Sequence, residues 1–107
     1  MAVSTLVCSF LMMGAPFAKT ILEFSSEGTM SKYAKLEHYG AIQNAVVTKK
    51  TPAANQWLSI VFDEGQSDRE LRQTVSEEPS AAFESKAMLT NPASPVMKDL
   101  PGTCVWQ

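Results

Sequence analysis

The sequence predicts a single α+β domain, and three observations lead to that class. Short β-branched or apolar runs that read as strands alternate with longer stretches whose apolar residues recur at helical spacing. Proline and glycine punctuate the chain at the junctions between them. The length of 107 residues allows one domain with a thin core.

The first element is the run Val3 to Met12, rich in β-branched and large apolar residues and closed by Gly14-Ala15-Pro16. It predicts a strand apolar on both faces, as a central strand is. No Lys or Arg precedes the run and the first cation is Lys19, so a buried strand is preferred here to a signal sequence. At about a dozen residues it is too short for a helix to span a bilayer.

Pro16 suits the first turn of a helix. Behind it Phe17, Ala18, Ile21 and Phe24 fall on one arc, with Lys19 and Glu23 opposite. Ser25 to Thr29 interrupts the pattern. A second amphipathic helical segment is expected from Thr29 to Tyr39, with Met30, Tyr33, Ala34 and Leu36 apolar and Gly40 in the C-terminal capping position. Ala41 to Thr48 and Gln56 to Asp63 read as strands, joined by a polar, proline-containing loop of the length that links antiparallel neighbours. Ser67 or Asp68 caps an expected helix that Pro79 breaks. Another helix begins near Ser80, with Ala82, Phe83, Ala87 and Met88 inward. Asn91 to Gly102 reads as loops and turns, and Thr103 to Gln107 as a last strand.

The resulting order is strand, helix, strand, strand, helix, strand: a ferredoxin-like β-α-β-β-α-β domain with its helices on one face of an antiparallel sheet. The bare second face predicts a homodimer, giving a dimeric α+β barrel.

A hydrophobic fraction of 45%, a charged fraction of 19% and a net charge of −2 describe a folded, mildly acidic chain. The absence of a basic excess excludes non-specific nucleic-acid binding, and no cluster of cations suits an anionic membrane. Two cysteines, Cys8 and Cys104, and one histidine make neither a zinc set nor a dense disulfide scaffold. They read as free thiols of a cytoplasmic protein in preference to a bridge. No GxGxxG, P-loop or GxSxG motif occurs. The expectation is therefore no cofactor and no metal, with an apolar or aromatic small molecule as partner.

His38 is the default general acid or base, because an ordinary imidazole titrates near neutrality; it also reads as a solvent-facing residue near a helix C-terminus, where positive charge is favoured. Tyr33, Glu37 and Tyr39 lie on adjacent turns of the expected helix and would assist it. Glu37 also reads as a solvated carboxylate paired with Lys35 or Lys50. Asn44 and Trp57, on the two central strands, would face the same cavity, although Trp57 and Trp106 also read as core or interface residues.

The opening Met1-Ala2-Val3 strand, the helix end Glu37-His38-Tyr39-Gly40, the paired central strands and the segment Phe83 to Leu100 with Ser94-Pro95 together resemble the dimeric α+β barrel superfamily. That group includes antibiotic-biosynthesis monooxygenase-like domains, stress-responsive barrel proteins and small polyketide cyclases. The stretch Asp68 to Pro79 departs from the compact form of the family. The resemblance implies a substrate pocket between sheet and helices, with an Asn–Trp–His set that binds a phenolic substrate and stabilises its anion. Two functions follow. One is a cofactor-independent enzyme, with His38 as acid or base and Tyr33 and Tyr39 beside it, performing cyclisation, isomerisation or oxygenation of an apolar or aromatic carbonyl compound. The other is a non-catalytic interaction or scaffold subunit that uses its apolar sheet face.

Overall fold

The computed structural model describes residues 4–38, 40–63, 70–91 and 99–107. Among them the chain forms eight strands and no helix: β1 (Ser4–Met12), β2 (Ala15–Phe24), β3 (Tyr33–His38), β4 (Ala41–Lys50), β5 (Leu58–Asp63), β6 (Glu70–Val75), β7 (Ser85–Thr90) and β8 (Leu100–Trp106). Each strand pairs antiparallel with the next, and β8 pairs with β1, so the sheet closes into an up-and-down barrel. Closure leaves no unpaired edge.

This corrects the α+β, ferredoxin-like expectation and, with it, the resemblance to dimeric α+β barrels and their monooxygenase-like and cyclase-like members. The segments expected as helices between Pro16 and Tyr39 are β2 and β3, and those expected beyond Pro79 and before it supply β7 and β6. The bare sheet face that would call for a second copy is not there, because the sheet curls onto itself. Met1-Ala2-Val3, Tyr39, the start of the helix expected at Asp68, and Ser94-Pro95 lie outside the described residues.

The barrel follows from a two-residue period that runs through every wall. Leu6, Cys8 and Phe10 of β1, Thr20, Leu22 and Phe24 of β2, and Ala34 and Leu36 of β3 point inward and are buried. Ala45 and Val47 of β4, then Leu58, Ile60 and Phe62 of β5, continue the set, and Leu71, Gln73 and Val75 of β6 complete the far wall. Lys19, Glu23, Lys35, Arg72 and Lys86 occupy the alternate positions and face out. Inward polar groups conceal this alternation in β2 and β6. In β3 and β7 the disguise is small inward residues, Ala34, Ser85 and Ala87, beside large outward ones, Tyr33 and Met88.

β1 and β2 meet at the two-residue turn Met13-Gly14, with φ of 52° and 80°. Two successive residues of positive φ match the right-handed twist of a hairpin, and Gly14 takes its place there without steric cost. The ladder shifts between Phe10↔Ala18 and Leu11↔Pro16, leaving Phe17 as the extra residue of a bulge. The bulge is what lets Pro16, which has no N–H to donate, sit in a strand rather than a helix.

An eight-stranded barrel is just wide enough for its interior to be filled by side chains or to hold one small ligand. Here side chains fill it at mid-height. Gly102 on β8 faces Phe10 on β1, and a Cβ at position 102 would overlap the Phe10 ring. Across the bore the Thr20 hydroxyl donates to Gln73 Oε1 at 2.7 Å, and Gln73 Nε2 donates to Cys8 Sγ at 3.2 Å. Cys8 and Cys104 face each other on β1 and β8 and form a buried disulfide. This corrects the free-thiol reading: the covalent link lies inside the barrel, on the seam where the last strand meets the first.

Candidate functional site

Strand direction sorts the candidate residues between the two ends of the barrel. β1, β3, β5 and β7 run one way and their partners the other. Ser4, Phe24, Tyr33, Leu58, Val75 and Trp106 therefore mark one end, and Met12, Ala15, His38, Ala41 and Leu100 the opposite end.

At the first end three aromatic rings converge from two walls. Phe24 ends β2, opposite Ser4 of β1, and Trp106 ends β8, opposite Leu6 of β1. Trp57 precedes β5, the strand furthest from β1 around the ring, and its N–H donates to the Val75 carbonyl at 2.9 Å. The Phe24 and Trp106 centroids are 5.3 Å apart with the rings at 79°, and those of Trp57 and Trp106 are 6.1 Å apart at 74°. Phe24 and Trp57 are more nearly parallel, at 6.2 Å and 26°. These are the edge-to-face and offset arrangements that aromatic quadrupoles favour. Phe24 is buried, whereas each tryptophan is only half-buried.

The exposed parts of both indoles line an open cleft of ≈ 640 Å³. Its rim is set by two loops. On one side the Gly28 N–H donates to the Ser25 carbonyl at 2.9 Å and the Ser25 N–H to the Thr29 carbonyl at 2.8 Å, which folds Ser25 to Thr29 into a turn. On the other, the Glu77 N–H donates to Ser85 Oγ at 3.2 Å and Pro79 is buried, holding Glu78 between two fixed neighbours. Lys49, near the end of β4, and Glu78 both line the cleft and are exposed. Among the described residues neither side chain makes an ion pair or hydrogen bond.

The second end holds His38. It closes β3, is exposed, and its ring lies 4.4 Å from that of Phe17, the bulged residue of β2. Beside it runs an open groove of ≈ 400 Å³ lined by Ser9, Leu11, Phe17, Lys19 and Glu37. Glu37 is half-buried on the outer wall, level with Lys19 of β2 and Ile42 of β4.

The sequence-derived set is thus divided. His38 and Glu37 share one end. Tyr33 begins β3 at the other end, points outward and is 64% exposed. Asn44 lies between them on the outer wall, level with Lys35. Trp57 belongs to the aromatic cleft. Tyr39 is outside the described residues. No single cavity gathers an Asn–Trp–His set, because alternation turns Asn44 outward and the length of the barrel separates Trp57 from His38. Phe24, Trp106, Lys49 and Glu78 were not singled out as site residues. The signal available for them was that both tryptophans of the chain stand at strand ends.

Comparison with known proteins gives no matching family model, no matching curated protein and no matching solved structure. Among the described residues no cluster of metal-ligating side chains occurs, and no helix is long and apolar enough to cross a membrane.

Proposed function

We propose that this protein is a small-molecule binding barrel whose site is the aromatic cleft between Phe24, Trp57 and Trp106. The observation that carries the reading is the half-exposure of two indoles at a barrel end, framed by one cation and one carboxylate that have no partner among the described residues. A sealed core would account for Phe24 alone. Ligand sites combine an apolar floor with a few convergent polar groups in a cavity of roughly 300–1,000 Å³, and at the mouths of barrels. The outer wall supports a barrel that works in water: it carries charges, while the interior is mainly apolar, the inverse of a lipid-facing barrel. The disulfide supports folding in an oxidising compartment in place of the cytoplasm.

Both tryptophans of the chain line the cleft, so intrinsic emission reports on this site. A fragment screen by thermal shift, followed by fluorescence titration, should find ligands that stabilise the fold and change the emission saturably. Saturation at a hundred times Kd corresponds to about 2.7 kcal/mol of stabilisation. His38→Ala should leave the titration unchanged and Trp57→Ala should abolish it. Ligands that stabilise the protein while the emission stays silent would refute the assignment.

A second reading, a cofactor-independent enzyme in which His38 acts as general acid or base on an apolar or aromatic carbonyl compound, is favoured by one observation, the groove beside the His38–Phe17 pair. It requires that binding depend on His38, which the same variant tests.

A further inference from the structure

We infer that the ligand of the aromatic cleft is a neutral saccharide, an inference that rests on the cleft being the binding site. Lys49 and Glu78 both line the cleft, so it presents charges of opposite sign. An anion would meet the Glu78 carboxylate as well as the ammonium of Lys49, and a cation the reverse. A neutral polyhydroxylated ligand meets no such penalty, because each hydroxyl both donates and accepts: it gives a hydrogen bond to the Glu78 carboxylate and takes one from Lys49 Nζ.

The floor agrees with the rim. One face of a pyranose is a patch of C–H groups with partial positive charge, which complements the negative face of an indole while burying apolar area. Its edge is a ring of hydroxyls, which matches the Ser4 and Ser25 side chains that border the same cleft. A purely apolar or aromatic ligand would satisfy the indoles but strip water from Lys49, Glu78 and the serines without replacing their hydrogen bonds, a cost that falls on every such group. The cleft is open to solvent, so it accepts a segment of a chain as well as a single ring.

The test is titration of the intact protein, disulfide formed, with three classes of probe followed by tryptophan emission and calorimetry. The neutral probes are cellobiose, maltose, N,N′-diacetylchitobiose and their longer oligomers; the controls are phenylalanine as a zwitterion and benzoate as an aromatic anion. The expected result is saturable binding of at least one neutral oligosaccharide series, tightening with chain length. Glu78→Gln and Lys49→Met, both on exposed positions that the fold does not need, should each weaken it about tenfold, the loss of one charge-assisted hydrogen bond. Trp106→Phe, which keeps an aromatic seal on the barrel end, should weaken it further. Binding of phenylalanine or benzoate with the saccharides silent would overturn the saccharide inference while leaving the cleft as the site. Silence of every probe by emission, with calorimetric binding that depends on His38, would overturn both.

Discussion

At position 73 a neutral amide with no solvent exposure spans the bore of the barrel, taking a hydrogen bond from Thr20 on one wall and giving one to Cys8 beside it. A buried amide of this kind costs stability unless its partners are in place, and the described residues include no buried side-chain polar atom left without one. The pair is therefore coupled. Gln73→Leu keeps much of the volume but leaves the Thr20 hydroxyl without its acceptor, at a cost of about 1–3 kcal/mol. Thr20→Val strands the Gln73 carbonyl oxygen in the same way. The double variant fills the level with apolar groups and should recover most of the loss, giving a coupling energy of about 0.5–3 kcal/mol in urea unfolding. Strictly additive losses would mean that the two side chains act independently. The same residue also explains part of what the sequence conceals. Leu71-Arg72-Gln73-Thr74-Val75 has an inward glutamine where strand patterning calls for an apolar side chain, and Thr20 does the same in β2.

Among the elements, the β1–β8 pair decides whether the sheet is a barrel or an open ribbon. Five residue pairs, from Leu6↔Trp106 to Phe10↔Gly102, join these strands, and the disulfide lies at the centre of the ladder. A link between residues 96 apart restricts almost the whole unfolded chain, so replacing both cysteines with alanine should lower the unfolding free energy by about 2–5 kcal/mol. An unchanged midpoint would show that the seam holds without it. Strands β1, β4 and β5 were legible because each presents β-branched or aromatic residues in a short run ended by a turn; of β8 only the part from Thr103 was, since Leu100-Pro101-Gly102 reads as a turn and is strand. β2 and β3 were not: Phe17, Ala18, Ile21 and Phe24 imitate a helical arc, since the bulge at Phe17 breaks the two-residue period just where Pro16 suggests a helix start. β7 was lost to its small inward residues. The disulfide was set aside because two cysteines at opposite ends of a sequence give no spacing signal; only the closure of the sheet brings them together.

For the whole molecule, closure fills the middle of the barrel with side chains and leaves the two ends as places where chemistry can be presented. Sequence reasoning found one residue of the aromatic cleft, Trp57, and two at the opposite end, Glu37 and His38, but assembled them into one pocket because it placed Glu37 and His38 on a helix facing the strand that carries Trp57. Ligand binding is proposed at the aromatic end. The most direct test is a ¹H–¹⁵N correlation spectrum of the labelled protein titrated with a panel of small ring-containing fragments, neutral and charged. The two indole N–H signals and the backbone amides of Ser25, Gly28 and Glu78 should move together and saturably, while the signals of Phe17, Glu37 and His38 stay fixed. Saturable shifts confined to Phe17, Glu37 and His38, with both indoles unmoved, would contradict it.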